Sequence, residues 1–285
     1  MTDSLLKAKR PTRRSVGAAI ILIMCLLSFG ALAAGADYST PDLGALSLSP
    51  RPSHIFGTDT VGRDILSRTL VGGAYSIMIG VACSAISTAV GVIFGALAGY
   101  FKGAWDFILL RLSELTQSFP FTVAVLLFAS VTGRRGIGAL ITVFSATGWM
   151  TVFRIVRTEY AALSGENFVI AARRFGMSRM RIMFTEILPN AAPPILVSAA
   201  SNVAFFILQE AALSFIGFGV PETTPTWGNM LNAARSPAVL AGKWWIWLFP
   251  GLACSLFVLA ADMALDGGVR RRAGNTKTNG KKDGE

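Results

Sequence analysis

Few residues in this 285-residue chain are of types that do chemistry, and their positions decide which chemistry is open to it. Thr58, Asp59, Arg63 and Asp64 place two carboxylates and a guanidinium in one turn-rich stretch, HIFGTDTVGRDILSR, a set that could hold calcium or serve catalysis. The spacing does not match a calcium loop, so these residues read as helix caps and local ion pairs. His54, the single histidine, lies in the same polar stretch. A histidine metal cluster is therefore ruled out, as is a Ser–His pair at membrane depth. Cys25, Cys83 and Cys254 fall inside apolar runs and read as small packing residues with no metal or disulfide pattern. There is no G-x-x-x-x-G-K-[ST] phosphate loop, no H-E-x-x-H and no G-x-S-x-G. No cofactor is implied, and the chain does not read as an enzyme.

Two groups remain. Glu210 follows a charge-free run at 187–209 and is followed one helical turn later by Ser214. An acid at membrane depth is costly and usually faces a cavity or a partner, which would place Glu210 and Ser214 on a translocation path. Alternatively the span ends earlier and Glu210 sits at the outer interface. Both readings stand at this point. The second group is the stretch 154–194, where Arg154, Arg157, Arg173, Arg174, Arg179 and Arg181 interrupt an apolar sequence. Its centre divides at Gly176 into two amphipathic helical patterns. One puts Phe168, Ala171, Ala172 and Phe175 on a single face, and the other groups Met180, Met183, Phe184 and Ile187. Gly176 suits a left-handed C-cap, Ser178 an N-cap, and Pro193-Pro194 should stop or kink the next helix. The pattern is a helix–turn–helix on a membrane surface, positioned to dock against something.

Composition dictates the scaffold that holds these groups. The chain is 53% hydrophobic and 15% charged, with a mean hydropathy of +0.56, whereas soluble domains carry about 25% charged residues. Six runs lack Asp, Glu, Lys and Arg: 15–36, 69–101, 115–133, 136–153, 187–209 and 244–261. Each is near the roughly 20 residues a spanning helix needs. The expected fold is all-α, a polytopic membrane protein with six transmembrane helices. Of 26 Lys and Arg residues, 19 fall in the N-terminus, 102–114, 154–186 and the C-terminal tail. By the positive-inside rule both termini are cytoplasmic, and nucleic acid is not the partner of this charge. Arg134-Arg135 is a local departure, in a short turn assigned to the outside.

The expected organisation is a cytoplasmic basic tail at 1–15, a transmembrane anchor at 16–36 and an external segment at 37–70. The transmembrane core occupies 71–268, with the arginine loop at 154–190 and an external loop at 218–243. A cytoplasmic tail at 269–285, of disordered composition, closes the chain. The first run resembles a secretory signal, with Ala31-Leu32-Ala33 as a cleavage-like site, but its length favours a retained anchor. Gly91, Gly95, Gly99 and Gly103 recur at spacing four, a smooth stripe for close helix packing within the chain or across a subunit interface. Pro120 should kink the third span, and Trp244, Trp245 and Trp247 read as an interfacial aromatic belt.

The stretch GENFVIAARRFGMSRMRIMFTEILPNAAPPILV resembles the "EAA" coupling loop of bacterial ABC-importer permeases, specifically the C-type subunit of the dipeptide/oligopeptide/nickel transport group. HIFGTDTVGRDILSR, GALAGYFKGAWDFILLRLSELTQSFP, EAALSFIGFGVPETTPTWGNML and WLFPGLA extend the resemblance collinearly over about 55–269. Departures are Ile170 where the motif has a leading Glu, Glu186 where the group often has His, and a tail without the usual Leu-Asp-Pro ending. The resemblance implies a type I importer permease fold in the bacterial cytoplasmic (inner) membrane. It implies a second homologous permease, two ATP-binding subunits, an external solute-binding protein and membrane lipid as partners. It also implies that Phe168, Ala171, Ala172, Arg173, Phe175, Gly176, Met180 and Phe184 couple to the ATPase. Peptides are its first expected cargo; nickel chelates and other small solutes use similar permeases, but no His, Cys or Met cluster marks a metal path here. An ion-coupled secondary transporter or channel is the alternative, and would give Glu210 or Asp262 a role in ion coupling.

Overall fold

Long apolar segments favour helices because a helix satisfies every backbone N–H and C=O within itself. The computed structural model describes residues 13–118, 120–132 and 136–279, with side chains described except at 121, 128–132 and 266–279. Among the described residues there is no strand, only two isolated bridges, Arg51 with His54 and Thr58 with Asp64. In chain order the helices are α1 (Arg13–Ala33), α2 (Ile65–Phe101), α3 (Gly103–Ser118), α4 (Phe121–Thr132), α5 (Ile137–Leu163), α6 (Asn167–Arg174) and α7 (Arg179–Arg181). They continue with α8 (Leu188–Ile216), α9 (Trp227–Leu231), α10 (Pro237–Gly242) and α11 (Trp245–Asn279). A π-helical turn, Ile182–Ile187, joins α7 to α8, so Arg179–Ile216 is one continuous helix.

Among the described residues, five unbroken helices are long and apolar enough to cross a membrane: α1, α2, α5, Arg179–Ile216 and the Trp245–Leu265 part of α11. The run 115–133 differs from expectation. It is divided at Pro120 between α3 and α4, and α3 starts inside the expected connection at 102–114. A proline has no N–H for the helical ladder, so the segment breaks instead of bending. The opposite departure occurs at Pro193-Pro194, which lie inside α8 without stopping it. A π turn lies upstream of them, with the Leu188 N–H bonding the Met183 carbonyl five residues back. α11 is helical to Asn279, past the start of the tail expected to be disordered at 269–285; Val269 and Arg270–Arg272 do not oppose helix. Lys7, Lys9, Arg10 and Arg134-Arg135 lie outside the described residues, as does 280–285.

Three of the four glycines form a stripe that packs within the chain; Gly103 falls outside it, past the end of α2 at the start of α3, with φ +57° and nothing against it. α2 lies along α5, and a Cβ built at Gly91 would stand 2.7 Å from the Val152 Cβ, one at Gly95 2.6 Å from the Val156 Cβ. Gly99 faces Arg157 and Tyr160 in the same way. Bare backbone at these positions lets α2 approach α5 close enough to bury Ala96, Val152, Val156 and Tyr160. α1 lies against α11 and leaves Leu22, Ile23, Leu26 and Leu27 exposed, as a lipid-facing helix would. The tryptophan belt is only half a belt: Trp244 is exposed, but Trp245 is buried and donates from Nε1 to the Thr58 carbonyl at 3.2 Å.

The packed spans therefore present two ends. One gathers the end of α2, the start of α3, the end of α5, and α6–α7, and carries the arginines. The other gathers 37–64, the start of α2, the end of α8, the 217–244 segment and the start of α11.

Candidate functional site

At the arginine end, the sequence-predicted turn is built from its residues. α6 closes at Gly176, whose φ of +76° is the left-handed conformation that a Cβ disfavours. The Met177 N–H reaches the Ala172 carbonyl at 3.1 Å and the Gly176 N–H the Arg173 carbonyl at 3.0 Å, the paired bonds of a Schellman cap. Ser178 then caps α7 by accepting from the Arg181 N–H at 3.4 Å. The apolar faces are not grouped as the helical spacing predicts. Val169, Ala172, Ile182, Met183 and Ile187 are buried against α2 and α5. Phe168, Ala171, Phe175, Met180 and Phe184 are exposed, Phe175 to 87% and Met180 to 53%. The split of Met183 and Ile187 from Met180 and Phe184 has a cause in the π turn, which changes the residue count per turn and re-aims the side chains.

Two polar contacts hold this element to the spans and a third ties together the spans beside it, and helical spacing gives no signal for them. The Tyr160 hydroxyl donates to the Met183 carbonyl at 3.1 Å. The Arg173 guanidinium lies 5.1 Å from the Tyr100 ring centroid, a cation–π contact from α6 to the end of α2. Arg157 makes a two-point ion pair with Asp106, Nε to Oδ1 and Nη2 to Oδ2. The Arg157 hydrogen bond holds the Asp106 carboxyl below the ordinary carboxylate range, against a smaller opposing effect of burial. The result is a small platform, anchored on its inner face, with aromatic and Met side chains outward among Arg174, Arg179 and Arg181, all exposed.

At the opposite end, Asp59, Arg63 and Asp64 act as caps and pairs. Asp64 caps α2 by accepting from the Ser67 N–H at 2.8 Å, and its Oδ1 meets His54 Nδ1 at 3.2 Å. Asp59 pairs with Arg63 at 2.7 Å and lies 3.8 Å from Arg68. Arg68 is buried and donates to the carbonyls of Tyr38 and Glu222, tying both loop segments to α2. Glu210 lies inside α8, not at its end, and is 0% exposed. Its Oε1 accepts from Ser214 Oγ at 2.6 Å and from Thr226 Oγ1 at 2.8 Å. Ser214 is buried beside it. Thr226 also caps α9 in a capping box with Asn229, a pairing that T-x-x-N ahead of a short helix could have signalled. Trp227, 1% exposed, donates from Nε1 to the Thr69 carbonyl and from its backbone to Ser76 Oγ, both at 3.0 Å. A cavity of about 450 Å³ beside this loop is lined by Asp59, Arg63, Arg68, Glu222, Asn232 and Arg235 among others.

With both ends described, the likeness to known proteins is specific. Residues 91–272 match the family "Binding-protein-dependent transport system inner membrane component". A peptide permease protein of Brucella suis biovar 1 (strain 1330) is 41% identical over 227 residues, 79% of this chain and 74% of that protein. The oligopeptide transport system permease protein OppC of Bacillus subtilis (strain 168) is 34% identical over 253 residues, 88% of this chain and 82% of that one. The dipeptide transport system permease protein DppC of the same organism is 35% identical over 221 residues, 78% and 68% respectively. Among solved structures, the inward-facing MetNI methionine ABC transporter aligns with a TM-score of 0.55 at 16% identity, over 72% of this chain and 96% of that one. An amino acid ABC transporter crystallised with histidines aligns at 0.54 and 16%, over 72% and 94%. The fold is that of a type I importer permease, and the chain belongs to the inner-membrane components of binding-protein-dependent transport systems.

Proposed function

We propose that this chain forms half of the translocation pathway of an ATP-driven importer for dipeptides or oligopeptides. Its arginine end and both termini face the cytoplasm, and its loop end faces outward. A second homologous permease completes the pathway, two ATP-binding subunits dock at the arginine end, and a solute-binding protein delivers cargo at the loop end. Coupling uses Phe168, Ala171, Phe175, Met180 and Phe184 on the outward face of the platform, with Ala172, Arg173 and Gly176 fixing its position and shape. Glu210 and Ser214 act at the outer end of the pathway.

The observation that carries this reading is the two-sided platform: buried Val169, Ile182 and Met183 on one face, and exposed Phe175, Met180 and Phe184 on the other. Exposed apolar side chains on a rigid amphipathic element suit a groove on a soluble partner. The surrounding arginines match a groove with an acidic rim. Closure of the ATPases would then move the platform as a lever and switch the spans between inward-open and outward-open states. The peptide assignment rests on the relatives named above.

The test is reconstitution of the chain in proteoliposomes with candidate partner subunits and labelled di- and oligopeptides. ATP-dependent uptake that needs both the ATPase and the binding protein is the expected result. Uptake without the ATPase, or driven by an ion gradient alone, would overturn the reading.

A further inference from the structure

Glu210 is a fully buried carboxyl group that neither the docking platform nor the packing of α8 explains. Of its two hydroxyl donors, Ser214 belongs to the same helix and adds nothing to tertiary structure. Thr226 belongs to the loop that returns from α8, so its bond to Glu210 Oε1 ties that loop to the helix. The Thr226 hydroxyl donates its only proton to Glu210 and accepts the Asn229 N–H at 3.0 Å. Gly228 lets the loop press on the helix at this point, since a Cβ there would stand 2.6 Å from the Ala211 Cα and 2.8 Å from Glu210 Oε2. One turn further along, Asn232 Nδ2 donates to the Ser214 carbonyl at 3.0 Å. The same loop forms a wall of the 450 Å³ cavity, where an incoming partner would bear on it.

The helix that Glu210 clamps is the one that ends in the docking platform. Arg179–Ile216 is continuous through the π turn and both prolines. At 1.5 Å per residue its 38 residues span about 57 Å, more than a bilayer core of about 30 Å. Met180 and Phe184 lie at one end and Glu210 and Ser214 near the other. We propose that Glu210 is a positioning residue that locks the loop 221–232 to this helix. Displacement of the loop by an external partner is thereby delivered to Met180 and Phe184 through a single element. This inference rests on the importer reading for its partners, but the clamp is a property of the chain alone.

Two measurements test it. In the full chain in lipid bilayers, hydrogen exchange of the 227–232 amides reads the clamp. T226V and E210L should speed that exchange about fivefold or more, the effect of losing at least one buried hydrogen bond. E210Q should stay closer to wild type than E210L, because its amide oxygen still accepts from both hydroxyls. Unchanged exchange in T226V, or E210Q as fast as E210L, would overturn the clamp. In the assembled complex, stimulation of ATP hydrolysis by the liganded binding protein reads the relay. It should fall in T226V and E210L and persist in E210Q, with ATPase co-purification retained in all three. Faster exchange with undiminished stimulation would overturn the relay. Failure of the importer reading would look different: a wild-type complex without ATP-dependent uptake, while the exchange arm still decides the clamp.

Discussion

Asp106, in the first turn of α3, and Arg157, near the end of α5, meet in a two-point ion pair, with Arg157 Nη2 donating to Asp106 Oδ2 at 2.8 Å. The Arg157 backbone is also what a side chain at Gly99 would strike. One arginine therefore sits where α2, α3 and α5 converge, beside the α6–α7 platform. The pair is partly solvated, so its contribution to stability is about 1 kcal/mol or less. Asp106 has a lowered pKa in the folded chain, so that contribution is present above the unfolded carboxylate value of about 3.9 and is lost as pH falls through the lowered value. D106N should lower the thermal midpoint in detergent at pH 7, and its deficit should close on acidification. An equal deficit at pH 7 and below pH 3 would show that the ion pair is not the cause.

The two faces of the platform should separate by mutation. Phe175→Ala and Met180→Ala remove exposed side chains, so they should weaken ATPase binding while leaving the thermal midpoint of the chain in place. Burial of such a side chain in a partner groove is worth about 1.5–3 kcal/mol, or about a tenfold or greater loss of affinity. Met183→Ala removes a side chain that is 0% exposed, and should cost about 2–5 kcal/mol of stability. Co-purification and thermal unfolding, measured side by side, check this. A Phe175→Ala chain that binds the ATPase with wild-type affinity would count against the outward face as the docking surface.

Gly176 sets the angle between the two halves of the platform. Gly176→Pro imposes φ near −65° where the chain needs +76°, and should abolish ATPase co-purification. Gly176→Asn, which tolerates the left-handed region, should retain most of it. Equal behaviour of the two variants would remove the turn from the coupling account.

The α2–α5 interface predicts a graded steric series. Gly95→Ala brings a methyl to 2.6 Å from the Val156 Cβ and should cost about 1–3 kcal/mol, with Gly95→Val worse. Because the clash is internal, the loss should be independent of protein concentration. A concentration-dependent loss would place the stripe at a subunit interface instead.

Much of this was legible along the chain because it depends on local chemistry. Charge-free runs of spanning length require helices wherever water is absent, and five of the six expected runs are unbroken helices. Gly176 and Ser178 announced a cap and an N-cap because glycine backbone freedom and a serine hydroxyl act within a few residues. The turn at Asp59 and the cap at Asp64 were readable for the same reason. The prolines were half legible: each removes a donor, but whether the chain breaks, as at Pro120, or continues, as at Pro193-Pro194, depends on the neighbouring ladder.

Contacts that join residues distant along the chain were settled by the tertiary fold alone. Glycines at spacing four permit close packing with any helix, and only the fold shows that Val152 and Val156 of the same chain meet them. Helical periodicity grouped Met180, Met183, Phe184 and Ile187, but the π turn sends two of them inward and two outward. Asp106 with Arg157, 51 positions apart, and Glu210 with Thr226, 16 apart, are pairs that no spacing rule selects. The cost of burying a lone acid is visible in the sequence at Glu210, yet its hydroxyl partner is set by where the loop folds back. Local propensity is written residue by residue, and partnership is written only by the path of the chain.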